Sequence, residues 1–273
     1  MSKKKNDKKK QLIYTTVFTT IVLIIIVFFL IAGLIKLVSN SKAYYKISSR
    51  VDKIEEYTKK HEETKAVGWI RVQGTNIDYP IIYAARDINI NAIIDDFTWI
   101  ENDVNTLKNK VYILGHNIRN ISSNPLITNK EHTRFEQLPS FMYLDFAEKN
   151  KYIQYTVDGK DYLYKIFSVS IVENKNLSTE TADISKEKLR EYIKQSKKDS
   201  YYDFDVDVDE NDYIITLATC TRFYGATSKY TYKIDARMVR DKESIHNYSV
   251  KENKNYKKVK KIMEGGEKNA NQI

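Results

Sequence analysis

YIITLATCTR, residues 213–222, is the stretch from which the fold and the chemistry of this chain are best approached. Three β-forming residues open it, and apolar and small polar side chains then alternate up to Cys220. This pattern predicts a buried strand that delivers its last side chain to a surface. Cys220 is the only cysteine among 273 residues, so an intramolecular disulfide is impossible.

A lone cysteine at the end of a strand permits two interpretations. Most free cysteines behave as small buried apolar residues. A nucleophilic cysteine needs, in addition, a base, a group that stabilises developing charge, and access for a substrate. The choice therefore depends on which other residues reach the same place.

The candidate base is a histidine. Three of the four histidines lie in polar segments and are expected to be solvated: His61, His132 and His246. His116 instead ends the apolar run KVYILGH, residues 110–116, which reads as a core strand in which Gly115 allows close backbone approach. Two core strands therefore each end in a reactive side chain, Cys220 and His116, the pair that thiol catalysis requires.

Three blocks of sequence resemble the sortases, the transpeptidases of Gram-positive cell envelopes. TLATC followed by Thr221 and Arg222 is similar to the cysteine signature of that family, and ILGHN to the strand and turn that carry its histidine. VGWIRVQGTNIDYPII, residues 67–82, resembles its opening strands. The resemblance covers residues 67–239 with histidine before cysteine, as in the family, and implies that Cys220 is a nucleophile.

The rest of the folded part reads as mainly β. At least seven strand-like runs and only 8 glycines fit a closed or nearly closed barrel. A hairpin is predicted around Asp158-Gly159, and an amphipathic helix capped by Ser185 over residues 185–200. The resemblance implies a sortase-like closed β-barrel of seven to eight strands with peripheral helices over residues 66–241. The helix before the cysteine strand makes it most like class B.

The N-terminal region predicts a membrane anchor. Residues 1–10 form a basic tail, and residues 11–35 contain no charged side chain. At about 1.5 Å per residue, such a stretch crosses a ~30 Å hydrocarbon layer. We interpret residues 11–36 as a transmembrane signal-anchor helix in contact with lipid, with the preceding lysines cytoplasmic and the catalytic domain extracellular. Residues 41–65 follow as an amphipathic helix or a stalk.

The basic charge lies in the two tails. The formal net charge is +9, and residues 11–250 are neutral once residues 1–10 and 251–273 are set aside. This distribution argues against nucleic acid as a partner, because the folded part has no excess of basic residues. Residues 242–273 are predicted to be a polar, basic C-terminal tail, of which residues 251–273 are expected to be disordered. The acidic run 203–212 lacks the spacing of a calcium loop and reads as a solvated loop and edge strand, although its oxygens leave a bound cation possible.

The resemblance also implies a mechanism without a cofactor or metal. Cys220 attacks a C-terminal sorting motif of a surface protein, of the Asn-Pro-X-Thr type in class B, and forms a thioacyl-enzyme. His116 serves as general acid and later as base, and the acyl group passes to an amine of a peptidoglycan precursor or a pilin. Two alternatives stay open: a membrane-anchored cysteine protease that hydrolyses, and a catalytically weak surface assembly or binding module.

The chain departs from the family at the third catalytic position. Sortases carry an arginine on the strand after the cysteine, and alignment of residues 236–239 with the end of that strand places the position near Thr231. No arginine occurs from residue 230 to residue 236. We therefore assign the role of positive donor to Arg222, two residues after Cys220.

Overall fold

A computed structural model describes residues 2–42, 47–61, 64, 66–84, 98–101, 105–117, 135–177, 179–221, 223–224, 229–245, 248–258 and 260. The chain divides into two units, Met1–Tyr44 and Tyr45–Ile273. The larger unit contains the candidate nucleophile Cys220 and the candidate base His116.

The smaller unit consists of one helix, α1 (Ser2–Lys42). Within it, Ile13–Gly33 is a run of 21 residues with a mean hydropathy of 2.8 and no buried side chains. An apolar helix of this length is compatible with a single-pass membrane anchor. The helix extends beyond both ends of the predicted segment 11–36.

The second helix, α2 (Val51–Lys60), is shorter than the segment 41–65 in which an amphipathic helix or a stalk was expected. The residue before it, Arg50, donates two hydrogen bonds of 2.8 Å to the carboxylate of Asp78. The indole of Trp69 donates a third, of 2.6 Å, to the same carboxylate. These contacts fix the start of α2 to the barrel, so α2 is part of the domain.

Ten strands follow: β1 (Ala66–Val72), β2 (Asp78–Tyr83), β3 (Thr98–Ile100), β4 (Lys110–Gly115), β5 (Tyr152–Val157), β6 (Lys160–Glu173), β7 (Tyr202–Phe204), β8 (Ile214–Cys220), β9 (Tyr230–Met238) and β10 (Val250–Glu252). Eight of them form a closed barrel in the order β1-β2-β3-β4-β8-β9-β6-β5. The prediction of a mainly β, closed barrel with peripheral helices is confirmed. Apolar side chains fill its core, each contributing about 1.5–3 kcal/mol by burial; among those fully buried are Ile70, Ile81, Val111, Ile113, Ile215, Leu217 and Ile234.

Local sequence signals account for several of these elements. The hairpin of β5 and β6 turns at Asp158 and Gly159, whose φ angles are 54° and 66°. Positive φ at both central residues is what a two-residue hairpin turn requires. Helix α4 (Lys186–Asp199) begins after Ser185, which accepts a hydrogen bond from the backbone N–H of Lys188. Between β4 and β5 the chain forms a 3₁₀-helix (Leu138–Met142) and α3 (Leu144–Lys149).

Strand β3 was not anticipated, because residues 98–109 read as loop in the sequence. Its three residues pair in parallel with β2 and antiparallel to β4. The hydroxyl of Thr98 donates to the carbonyl of Pro80 over 3.0 Å. This short strand closes the barrel between its first hairpin and the strand that leads to His116.

The C-terminal region also differs from the prediction of a polar tail over residues 242–273 that is disordered from residue 251. β10 pairs with β7 in a separate two-stranded sheet, and Tyr248 and Tyr256 are buried. The hydroxyl of Tyr248 contacts the carbonyl oxygens of Lys151 and Ile166, at 2.8 and 3.0 Å. Residues 248–258, here named the C-terminal strap, therefore belong to the folded domain, whereas residues 261–273 lie outside the described residues.

The acidic run 203–212 binds the side chain of Arg240. Asp207, Asp209 and Asp212 all form ion pairs with the guanidinium of Arg240, at 2.7–3.2 Å. The hydrogen bonds that the Arg240 guanidinium donates to Asp212 and Asp207 raise the pKa of Arg240 above its ordinary value. Across the described part of the chain, no group of three or more His, Cys, Asp or Glu side chains is arranged to hold a metal ion.

Candidate active site

The two reactive side chains lie at the carboxyl ends of neighbouring strands. β4 and β8 run parallel, and their paired residues extend from Lys110 opposite Ile214 to Leu114 opposite Ala218. Continuing this register by two residues places His116 opposite Cys220. Since adjacent strands lie about 4.8 Å apart, and paired residues project to the same face, this continuation would set the imidazole and the thiol on one face at one end of the barrel.

Cys220 is exposed, whereas both of its neighbours are buried. Thr219 and Thr221 are 2% and 3% exposed, and Cys220 is a free thiol open to solvent. The hydroxyl of Thr221 accepts a hydrogen bond from the backbone N–H of Phe223 over 3.2 Å, which turns the chain immediately after the strand. The strand therefore ends in an accessible thiol, as the nucleophilic interpretation requires.

The half-buried residue His116 is fixed through its backbone. Its carbonyl accepts a hydrogen bond of 3.1 Å from the backbone N–H of Phe135. The ring of Phe135 packs directly over Gly115, where an added Cβ would lie 2.6 Å from ring atoms. A glycine is therefore required before the histidine so that this aromatic ring can pack beneath the turn.

Two side chains link the strand ends beyond the last paired residues. The hydroxyl of Thr219 donates to the carbonyl oxygen of Gly115 over 2.7 Å. In the opposite direction, the side-chain amide of Asn117 donates to the carbonyl oxygen of Cys220 over 3.1 Å. In the sequence, Asn117 reads only as the turn residue after His116. No sequence pattern indicates its contact with the neighbouring strand.

On its other side, β8 pairs antiparallel with β9, and the residue opposite Cys220 is Thr231. This is the position that the alignment with the family gave to its arginine. The hydroxyl of Thr231 donates to the side-chain carbonyl of Asn174 over 2.7 Å. Strand β9 therefore places a neutral, buried side chain beside the thiol.

The next cation on the same face of β9 is Lys233, and it is engaged elsewhere. Its ammonium group contacts the carboxylate of Asp235 at 2.6 Å and the hydroxyl of Ser196, on α4, at 2.9 Å. Lys233 is only 5% exposed. A cation enclosed in this way cannot donate to a substrate at Cys220.

Asp235 is the centre of a buried polar cluster beneath α4. Tyr192 of α4 donates to Asp235 over 2.7 Å, and Thr216 of β8 donates to the same carboxylate over 2.8 Å. Burial alone raises the pKa of Asp235, but Lys233 and these hydrogen bonds outweigh it and hold the pKa below its usual value. The carboxylate is therefore ionised and fully bonded inside the fold.

A second buried lysine joins this cluster from the start of β4. The ammonium group of Lys110 lies 4.4 Å from the ring centre of Tyr192 and 5.3 Å from that of Tyr112. Burial lowers the pKa of Lys110 to about 8, and the charge of Asp235 acts in the opposite direction. The covered part of the sheet thus contains two lysines and one carboxylate.

The remaining predicted site residue, Arg222, lies outside the described residues. Immediately after it, Phe223 and Tyr224 stack edge-on with ring centres 5.0 Å apart, and Tyr224 contacts Tyr230 at 4.8 Å. Lys229, at the start of β9, is exposed. Of the other histidines, His61 is exposed and stacks on Tyr57 at 4.3 Å, while His132 and His246 also lie outside the described residues.

Comparisons with known proteins all point to one family. A family model described as the sortase domain matches residues 70–239. Sortase B of Staphylococcus aureus is 25% identical over 175 residues, which cover 60% of this chain and 66% of the relative. Sortase B of Listeria monocytogenes is 26% identical over 166 residues, covering 56% and 62%. The matched region therefore spans slightly less than two thirds of each relative.

Solved structures show the same fold. The X-ray structure of Clostridium perfringens sortase B matches with 25% identity and a TM-score of 0.54, covering 68% of this chain and 99% of that one. A Staphylococcus aureus sortase B–substrate complex matches with 21% identity and a TM-score of 0.52, covering 70% and 93%. These matches confirm the resemblance to class B. Because the sortase domain accounts for more than half of its residues, the chain belongs to the sortase family.

Proposed function

We propose that the protein is a membrane-anchored cysteine transpeptidase that cleaves a C-terminal sorting motif of surface proteins. It transfers the acyl group to an amine of a peptidoglycan precursor or a pilin. One observation carries this proposal: continued two residues past its last pair, the register of β4 and β8 would set His116 opposite the exposed Cys220. The family membership of the chain supports the same reaction.

In the first half of the reaction, the Cys220 thiolate attacks the carbonyl carbon of the threonine in the sorting motif. The peptide C–N bond breaks as the tetrahedral intermediate collapses, and protonated His116 gives its proton to the departing amine. The products are a thioester on Cys220 and the released C-terminal peptide.

In the second half, the amine acceptor attacks the thioester carbonyl. His116, now neutral, takes a proton from the attacking nitrogen, a new amide bond forms, and the C–S bond breaks. Thiolate and imidazolium are restored together, so the cycle consumes neither an oxidant nor a cofactor.

Each tetrahedral intermediate carries an oxyanion that needs a donor. Thr231 is neutral and Lys233 is enclosed beneath α4, so β9 does not supply the cation that the family places there. We assign this role to Arg222, which follows Cys220 by two residues. A planar guanidinium offers two parallel donors to an oxyanion or to the substrate.

The transfer is tested with the full-length protein in detergent micelles and a library of sorting peptides that includes Asn-Pro-X-Thr sequences. Mass spectrometry should detect an acyl adduct on Cys220, and an added amine should convert the adduct into a transpeptidation product. Release of the free acid at an unchanged rate in the presence of amine would instead identify a hydrolytic cysteine protease.

Thr231 supports a second candidate function, a catalytically weak assembly or binding module. In that case, a sorting-motif analogue bearing a thiol-reactive group would label Cys220 no faster than a scrambled peptide. Labelling that depends on the motif, together with turnover, contradicts this alternative.

The proposed orientation has the basic residues 1–10 in the cytoplasm and the catalytic domain outside, because lysines that precede a span are retained on the cytoplasmic side. Protease added to intact protoplasts should remove the domain. Complete protection of the domain would overturn the orientation.

A further inference from the structure

The ladder between β4 and β8 stops short of the residues that need the most exact placement. Its last pair is Leu114 and Ala218, whereas His116 and Cys220 each lie two residues further along. A strand end without ladder hydrogen bonds has greater freedom to move. Cys220 is still paired with Thr231 of β9 on its other side, so a contact other than the β4–β8 ladder must fix the thiol relative to the imidazole.

Asn117 supplies such a contact. Its side-chain amide donates a hydrogen bond of 3.1 Å to the carbonyl oxygen of Cys220. Asn117 directly follows His116, so one side chain links the peptide after the histidine to the peptide of the cysteine. This path from the histidine to the cysteine consists of one peptide bond and one hydrogen bond, and Thr219 and Gly115 provide the other link between the two strand ends.

The neighbouring hydrogen bonds show why the contact between Asn117 and the carbonyl of Cys220 matters for the position of the thiol. The hydroxyl of Thr219 bonds to the carbonyl of Gly115, and these two residues directly precede Cys220 and His116. After Cys220 the chain turns away at Thr221. The carbonyl of Cys220 therefore lies at the boundary between the fixed strand and the turn. With the amide of Asn117 removed, this carbonyl would bond to water, and the thiol would be fixed from one side only.

We propose that Asn117 is a positioning residue that sets the separation between the Cys220 thiol and the His116 imidazole; this inference rests on the proposed function. A single neutral hydrogen bond contributes little to the stability of the whole fold. A displacement of about 1 Å between reacting groups, however, can cost roughly 10²-fold in rate. The effect of Asn117 therefore falls on the rate.

The chemistry of the contact specifies the test variants. Asn117→Asp keeps the shape but replaces the donor by an acceptor that faces the carbonyl oxygen of Cys220. Asn117→Ala removes the contact altogether. The matched control is Asn109→Ala, because Asn109 lies just before the start of β4 and its amide donates to the carbonyl of Ile184 over 2.8 Å, far from the thiol.

Steady-state kinetics of peptide transfer by the full-length protein provides the first measurement. We expect Asn117→Asp to lower kcat by about 10- to 100-fold with KM within about twofold of the parent, and Asn117→Ala to lower it somewhat less. Asn109→Ala should lower the unfolding midpoint while leaving kcat per folded molecule at the parental value. A kcat within twofold of the parent for both Asn117 variants, or an equal loss in Asn109→Ala, would refute the role.

A second measurement separates this inference from the proposed function. The rate of Cys220 alkylation by iodoacetamide is recorded against pH for the parent, His116→Ala and Asn117→Asp. We expect the profile of Asn117→Asp to move toward that of His116→Ala. If the parent forms no acyl adduct with any peptide, the transpeptidase proposal fails, yet the alkylation profiles still decide whether Asn117 couples the two residues; coincidence of the Asn117→Asp and parental profiles would reject the inference.

Discussion

One face of the sheet formed by β4, β8 and β9 has two ends with opposite properties. At its open end lie His116, Cys220 and Thr231, of which the cysteine is exposed. At its covered end, beneath α4, lie buried polar and charged residues on the same alternation: Lys110, Thr216, Lys233 and Asp235. Both ends belong to the same strands and the same face of the sheet, and they differ only in whether α4 covers them.

This difference shows that a charged residue on these strands is available for chemistry only where α4 does not cover it. At the covered end, Asp235 satisfies Lys233, Tyr192 and Thr216 at once. At the open end, the Cys220 side chain remains directed toward solvent. Variants at the open end should therefore change rates, whereas variants at the covered end should change stability.

The largest expected effect is at the open end. Cys220→Ala and His116→Ala should each abolish acyl-enzyme formation, because one removes the nucleophile and the other removes the group that donates and accepts the proton. Both side chains lie at strand ends, so the unfolding midpoint should stay near that of the parent. Near-normal transfer by either variant, measured by mass spectrometry, would contradict the assignment.

The next effect is at the covered end. Lys233→Met leaves the carboxylate of Asp235 buried without its cation and should lower the free energy of unfolding by about 3–5 kcal/mol. The double variant Lys233→Met/Asp235→Leu should recover much of this loss, since it removes both charges. Chemical denaturation measures both, and turnover per folded molecule should be unchanged. A collapse of turnover with parental stability would instead make Lys233 the missing donor.

The assignment of Arg222 is tested at the open end with a smaller effect. Arg222→Ala should lower turnover by about 10²–10³, or roughly 3–4 kcal/mol, as for the loss of one oxyanion donor. Arg222→Lys should restore only part, because lysine keeps the charge without the planar fork. Lys229→Ala is the comparison, measured with the same peptide. Turnover of Arg222→Ala within a few-fold of the parent, with a collapse in Lys229→Ala, would transfer the role to Lys229.

The smallest effect is the pH dependence of the covered end. Because burial lowers the pKa of Lys110 to about 8 from 10.5, the folded state binds fewer protons there than the unfolded state. Its contribution to stability is therefore greatest above pH 10.5 and falls as the pH drops through about 8. Between pH 9.5 and 7 this amounts to about 2 kcal/mol.

Lys110→Met should remove this pH dependence, whereas Lys188→Met, at an exposed position of α4, should retain it. Denaturation curves at the two pH values measure the difference. An identical pH dependence for Lys110→Met and the parent would show that Lys110 is not the group responsible.

The sequence predicted the elements whose signals are local. The alternation in β8 and the run that ends at His116 identified both strands and their reactive ends, and Asp158-Gly159 identified the hairpin turn. Strand β3 was missed because three residues carry no usable periodicity, and its pairing partners are distant in the chain. The strap was missed because Tyr248 and Tyr256 are isolated apolar residues in a polar segment.

The residues of the site, too, were predictable only where they carry a local sequence signal. Cys220 and His116 were identifiable because each ends an apolar run, but their neighbours depend on contacts across strands. Asn117 looked like a turn residue until its amide was found on Cys220. Lys233 and Asp235 are charged residues that carry no signal of burial in the sequence, and only the packing of α4 reveals that they are buried.

The C-terminal strap also orders events during biogenesis. It lies beyond residue 239, where the matched sortase domain ends, yet Tyr248 bonds the carbonyls of Lys151 and Ile166 and β10 supplies the partner strand of β7. Because these residues leave the ribosome after the barrel strands, β7 stays unpaired until the strap has been synthesised. If the domain crosses a membrane in an extended form, as the proposed function requires, its fold would be complete only when the strap has crossed as well.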